Sequence, residues 1–167
     1  MGMSTLLSVL LLVSSSVAAD WPEDGDVVVQ REIAATPAAI HDHLRNLENH
    51  PSLWPEGCSS EWEFGNTTTD VGANALVTYQ AGVWRRKLTV VLVGHDEQRV
   101  KLDHPGNRGF VMTYSLSPTA AGTQVEMHTW INPPPKPFTG FYFKRTYPKW
   151  LVCHEGVLEN LGRALMN

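Results

Sequence analysis

Basic residues are in short supply in this chain. Thirteen Lys and Arg stand against 17 Asp and Glu, for a net charge of −4 over 167 residues. A nucleic-acid binder needs a basic stripe to displace phosphate counterions. The brief Arg85-Arg86-Lys87 run reads instead as charges along a strand or at its edge. Membrane-spanning runs are also missing: Leu6–Val13, apolar apart from Ser8, falls well short of the roughly 20 residues a spanning helix needs. Cysteine is scarce, with only Cys58 and Cys153, too few for a disulfide framework but enough for one bridge or two separate thiols. There is no HExxH, no nucleophile elbow, no phosphate-cradling loop and no dinucleotide fingerprint. Cys153 and His154 are neighbours on a helix, so their side chains diverge and a thiolate pair is not expected.

Seven histidines invite a metal reading, which their placement does not support. His41 and His43 point to different faces of a helix, and His50, His95, His104 and His128 fall on separate elements. No metal and no cofactor is expected.

What is present is an ordinary globular mixture, 43% hydrophobic and 18% charged, sized for a single domain. The first nineteen residues stand apart. The apolar run gives way to Ser14–Ala19, and Val17 and Ala19 suit a signal-peptidase site, although Met1–Thr5 has no Lys or Arg. The expectation is an export signal over 1–19, cleavage near Ala19, and one domain over 20–167, periplasmic or extracellular. No Cys sits at the cleavage point for a lipid anchor, and Leu6 stands where myristoylation wants Ser or Thr. Asn66-Thr67-Thr68 is a formal glycosylation sequon.

The rest of the chain alternates. After the Trp21–Gly25 lead-in, Asp26–Ala34 reads as a strand through Val27, Val28, Val29 and Ile33. Thr36 caps a helix that opens at Pro37 and runs to about Leu47, with Ile40, Leu44 and Leu47 on one face. Pro51 and Pro55 bracket a short turn around Leu53-Trp54. Six further strands follow: one at Trp62 and Phe64, then Asn74–Ala81, Trp84–Val93, Arg99–Asp103, Phe110–Leu116 and Val125–Ile131. His95–Gln98 and Pro105–Asn107 read as turns. Short turns imply an antiparallel sheet of about seven strands. Pro133–Pro137 is a stiff spacer. It leads to a long C-terminal helix, expected in two pieces because Pro148 lacks the amide hydrogen that a helix interior uses. The apolar sheet face needs cover, so the α+β reading wraps the sheet around the last helix, with the small helices closing one end.

Strand, Thr-Pro helix start, antiparallel run and long final helix resemble the START-related or SRPBCC superfamily. The opening Val29–Ile40 with Leu53-Trp54-Pro55 resembles its polyketide cyclase/dehydrase-like branch. The resemblance implies a helix-grip fold, a curved sheet gripping the helix around a cavity, and members that bind lipids, sterols, polyketides, quinones or hormones. An export signal departs from the many cytosolic members and argues against a cochaperone-like role. Fold alone does not fix function.

Candidate ligand contacts follow from the apolar faces: Trp62, Phe64, Val77, Tyr79, Leu102, Phe110, Met112, Tyr114 and Met127 on strands, and Phe141, Trp150, His154 and Leu158 on the helix. Tyr79 and Tyr114 either orient a ligand through their hydroxyls or simply pack the sheet. Met112 and Met127 fill irregular space in a core or adapt to a ligand. His154 shares a stripe with Leu151, Leu158, Leu161 and Leu165, and is a satisfied core imidazole, a ligand contact or an acid/base. Phe138, Phe141, Tyr142, Phe143 and Tyr147 form an aromatic entrance to the helix: a buried anchor, or a gate or lip that touches membrane. The leading expectation is a monomeric, exported domain that binds a hydrophobic small molecule, lipid-like or polycyclic, in an internal cavity. The alternatives are a cyclase/dehydratase using the same cavity and an envelope interaction protein with a filled core.

Overall fold

The computed structural model describes residues 26–106, 110–131 and 139–166. The export signal, the lead-in, the end of the Pro105–Asn107 turn, the proline spacer and Phe138 lie outside these, as do the side chains of Tyr142 and Phe143.

Seven strands form one antiparallel sheet. In chain order they are β1 (Asp26–Ile33), β2 (Ser59–Phe64), β3 (Asn74–Ala81), β4 (Trp84–Asp96), β5 (Arg99–Asp103), β6 (Phe110–Pro118) and β7 (Thr123–Ile131). The spatial order is β1-β7-β6-β5-β4-β3-β2. Strands β2 to β7 form a meander, and β1 adds to the far edge beside β7. The segment between β1 and β2 therefore crosses from one edge to the other. It carries α1 (Pro37–Arg45), a 3₁₀ turn (Leu47–Asn49) and α2 (His50–Leu53). Thr36 caps α1 by accepting from the Ala39 amide at 3.3 Å. Helix α1 stops two residues short of the expected Leu47, because Asn46 is extended and its side chain caps the next turn instead. Ile40, Leu44 and Leu47 are fully buried nonetheless.

Period-two alternation sorts the sheet faces. On β6, Phe110, Met112, Tyr114 and Leu116 face inward, and on β7 Val125, Met127, Thr129 and Ile131 do the same. β4 runs to Asp96, three residues beyond the expected Val93, and the turn is only Glu97-Gln98. A bulge between Leu92 and Gly94 lets β4 keep pairing as far as Asp96 with Arg99. Asp96 then holds the turn by accepting from the Gln98 amide at 2.9 Å. At the β6–β7 turn, Gly122 has φ +155° and a Cβ there would fall 2.1 Å from the Ile33 carbonyl oxygen. Only glycine lets that turn pass the end of β1.

The last element, α3 (Thr139–Met166), is one continuous helix of 28 residues rather than two. Pro148 and Lys144 are both exposed. The Lys144 carbonyl, which would have received the missing proline N–H, therefore lies where water can replace the bond. Helix α3 lies across the sheet against β1, β3 and β7 and beside α2. Its buried face holds Trp150, Cys153, His154, Val157, Leu158 and Leu161, while Leu151 and Leu165 are half-buried at its margins. Among the described residues no helix is long and apolar enough to cross a membrane. This α+β helix grip places the inner sheet face, α2 and one side of α3 around a common interior.

Candidate ligand-binding interior

Ten aromatic and imidazole side chains meet in that interior. Trp150 on α3 is the hub, with Trp84 at 5.1 Å, His154 at 5.3 Å, Phe110 at 5.4 Å and Trp54 at 6.3 Å between ring centroids. Tyr79 on β3 extends the wall to Trp54 at 4.9 Å, Phe110 at 5.2 Å and Trp62 at 6.2 Å. Tyr114 stands edge-on to His50 at 6.4 Å. Most of these pairs are edge-to-face or tilted, as ring quadrupoles prefer. The alternation of β3 and β6 aims Tyr79, Phe110 and Tyr114 inward, and the helical period aims Trp150 and His154 at them.

Three buried histidines punctuate the wall, each held neutral. His104 donates from Nδ1 to the Phe110 carbonyl at 3.0 Å, which leaves Nε2 to accept from the Tyr79 hydroxyl at 3.1 Å. His154 donates from Nδ1 to the Trp150 carbonyl and accepts at Nε2 from the Thr129 hydroxyl, both at 2.7 Å. His50 donates from Nε2 to the Leu44 carbonyl at 2.7 Å. Burial depresses all three, and the backbone bonds offset it only in part: His50 and His154 fall to about 4, His104 to about 3. Nearby imidazoles push His50 and His104 slightly further down. Burial also raises the phenols of Tyr79 and Tyr114 well above their ordinary range.

Against this satisfied network, three buried groups stand out. The Tyr114 hydroxyl, Trp54 Nε1 and Trp150 Nε1 have no hydrogen-bond partner among the described residues. Such orphans are uncommon in a folded interior and cost about 1–3 kcal/mol each. All three can donate. No Asp, Glu, Lys or Arg is buried among the described residues, so the interior carries no fixed charge.

Most of the expected contacts come together here. Val77, Tyr79, Leu102, Phe110, Met112, Tyr114, Met127, Trp150, His154 and Leu158 are all buried in one cluster, and Trp62 is half-buried against it. Phe64 stacks on Trp62 at 6.1 Å but is 39% exposed at the rim, where a bulge at Glu61 (φ +56°) shifts the register of β2. Phe141 is 62% exposed beneath the Arg145 guanidinium and lies outside the interior. Sequence reasoning did not place Trp54, Trp84, His50, His104 or Thr129 at the site. Trp54 and His104 fall in connections, where no periodicity assigns a face, and each precedes a proline. That Trp-Pro and His-Pro pattern was the available signal.

A bridge between Cys58 and Cys153, with Cα atoms 5.8 Å apart, settles the alternatives left open by the sequence. It ties the start of β2 to α3, one residue from His154. A Cβ on Gly156 would come within 2.3 Å of Pro55, so α3 also meets the Trp54-Pro55 connection at close range. Away from the interior, a surface cleft of about 670 Å³ between α1 and the β4–β5 turn is lined by His41, Asp42, His95 and Asp96 among others. Its two imidazoles meet at 3.2 Å. Among the described residues no three metal ligands converge.

The family model described as polyketide cyclase / dehydrase and lipid transport matches residues 24–165. No curated protein matches the chain. Among solved structures, the KanY protein is similar at a TM-score of 0.72 with 18% identity, covering 85% of this chain and 97% of that one. TTHA0849 from Thermus thermophilus gives 0.71 and 17%, covering 84% and 97%. The di-domain ARO/CYC StfQ from the steffimycin biosynthetic pathway gives 0.63 and 13%, covering 84% of this chain and 50% of that one. At these identities the likeness concerns the fold.

Proposed function

The chain belongs to the polyketide cyclase / dehydrase and lipid transport family, and from that premise we propose that it binds an uncharged hydrophobic molecule, lipid-like or polycyclic, between α3 and the inner sheet face. The carrying observation is the set of unpaired donors, Tyr114 Oη, Trp54 Nε1 and Trp150 Nε1, in an interior without fixed charge. A carbonyl or ether oxygen of the ligand satisfies them, and apolar burial at about 25 cal/mol per Å² supplies the affinity. The rings pack against one another, so the ligand enters by parting them, with unbranched Met112 and Met127 yielding most easily.

The test is native mass spectrometry of the protein purified from its own host, followed by organic extraction. A co-purifying neutral apolar molecule supports the reading. A protein that is empty and also takes up no hydrophobic fluorescent probe overturns it, in favour of an interaction protein with a filled core.

A cyclase/dehydratase is the second reading. The family description and the StfQ relationship support it, as does the Tyr79–His104 pair at 3.1 Å inside the wall. The protonation energetics weigh against it. A phenol raised well above its usual range and an imidazole lowered to about 3 are a poor acid and a poor base near neutral pH. Both His104 nitrogens are already engaged.

Export with cleavage near Ala19 completes the proposal, and the disulfide, which persists in oxidising compartments, supports it. N-terminal sequencing of the native protein should begin at Asp20. A start at Met1 overturns export.

A further inference from the structure

Charge is unevenly distributed in this acidic chain. Seven of its 13 Lys and Arg fall in two stretches, 74–95 and 127–154, and neither stretch contains an Asp or Glu. The fold brings described parts of the two together. On α3, Phe141, Arg145, Lys149 and Val152 recur at helical spacing along one exposed stripe, with Lys144 beside it. The β3–β4 turn abuts this stripe: a Cβ on Gly82 would lie 2.9 Å from the Arg145 carbonyl oxygen and 3.5 Å from Lys149 Cγ. Val83, at the tip of that turn, is 64% exposed, and Arg85 and Arg86 follow it, also exposed. Arg85 faces Glu61 at 3.9 Å. The acids bounding the patch are Glu56, across a groove shared with Lys149 and Val152, and Glu155 in the next helical turn.

We propose that this stripe is a docking surface for an anionic lipid bilayer. Exposed apolar side chains, Phe141 and Val152, flank two cations, Arg145 and Lys149, along one helix face, and the Arg145 guanidinium lies 4.9 Å above the Phe141 ring. That combination suits the interface plane of a membrane, where a ring enters the headgroup boundary and cations meet lipid phosphates. Charge complementarity selects the anionic surface: the chain as a whole carries a net charge of −4, so attraction to such a surface has to come from a local cluster of cations such as this one. The same helical turn holds Lys149 outside and Trp150 inside. Docking therefore sets the aromatic interior one helix width from the bilayer. The inference does not require that a ligand be bound.

The experiment is co-sedimentation of the purified protein with phosphatidylcholine vesicles, with and without phosphatidylglycerol. Binding should appear only with the anionic lipid and fall as salt rises. Arg145→Glu with Lys149→Glu should weaken it about thirty-fold or more, the factor given by two basic residues at about 1 kcal/mol each. Phe141→Ser should weaken it independently. All three positions are exposed, so melting temperature and uptake of hydrophobic probes should not change, which separates this inference from the interior binding site. Equal binding to neutral vesicles, no binding to anionic ones, or a charge-reversed protein that binds like the parent would each overturn it.

Discussion

The Tyr79 hydroxyl donates to His104 Nε2 at 3.1 Å, and both side chains are buried to within 1% of full burial. The bond links β3 to the connection after β5, because His104 is itself anchored to Phe110 through Nδ1. Tyr79→Phe keeps the ring contacts but leaves a buried nitrogen lone pair unpaired. The expected loss of stability is about 1–3 kcal/mol, read as a lower denaturant midpoint at unchanged slope. A variant as stable as the parent would show that the bond does not form.

Tyr114→Phe should behave in the opposite way. Its hydroxyl is equally buried but has no partner among the described residues, so removing it relieves a desolvation cost. Stability should hold or rise by up to about 1 kcal/mol. Ligand uptake should fall about tenfold, the worth of one hydrogen bond near 1.4 kcal/mol. Lost stability with intact uptake would make the hydroxyl a structural group and remove the central support for a ligand there.

Acid should unfold this protein through its interior histidines. His50, His104 and His154 sit near 4, 3 and 4 in the folded state, against about 6.5 when unfolded. Their neutral burial is fully compatible with folding above pH ~6.5. As pH falls below that value the unfolded chain takes up protons that the folded chain refuses, so stability declines. With three such groups the slope approaches about 4 kcal/mol per pH unit between pH ~5.5 and ~4.5, and eases below that as the folded chain begins to take up protons itself. Denaturant midpoints measured from pH 7.5 down to 4.5 should drop steeply. Replacing His154 by Gln should flatten the slope by about one third, whatever its effect on stability at pH 7. An unchanged slope would mean that His154 is already protonated or solvated in the fold.

Much of this arrangement was legible in the sequence, for identifiable reasons. Period two on β6 and β7 gave the inward faces of Met112, Tyr114 and Met127 without tertiary information. Thr36-Pro37 marked the start of α1 through cap chemistry alone. The aromatic run from Phe138 to Trp150 was less tractable. Rings occur on several sides of that helix, so only packing shows that Trp150 goes in while Phe141 stays out. Trp54 and His104 lie between periodic elements, and their burial comes from the closure of the sheet over α2 and α3. Pro148 argued for a broken helix, yet the helix persists: Pro148 and Lys144, the two residues of the missing bond, lie on the exposed side of a turn whose other side buries Thr146 and Tyr147.

The Cys58–Cys153 bridge closes a loop across 95 residues. It joins the short segment that carries Trp54 to the helix that carries Trp150 and His154. Trp54 is 4.9 Å from Tyr79 and 5.7 Å from His154, so the bridge fixes one wall of the interior against two others. A loop of this length restricts the unfolded chain enough to contribute about 4–5 kcal/mol. Reduction, or Cys58→Ser with Cys153→Ser, should lower the stability of the folded state by roughly that amount. A second consequence follows from position. Without the tether, the Trp54-Pro55 connection keeps the ring contacts of Trp54, its packing on Gly156, the Asn160 side chain, which donates to the Leu53 carbonyl at 3.0 Å, and the Gln80 amide, which donates to the Cys58 carbonyl at 2.9 Å, but it loses its only covalent tie to α3. Hydrogen exchange should therefore speed up first at 54–60, and hydrophobic probes should enter faster in the reduced protein than in the oxidised one. If stability falls while exchange at 54–60 and probe entry stay unchanged, the bridge acts only on the unfolded chain and the Trp54 wall is not the way in.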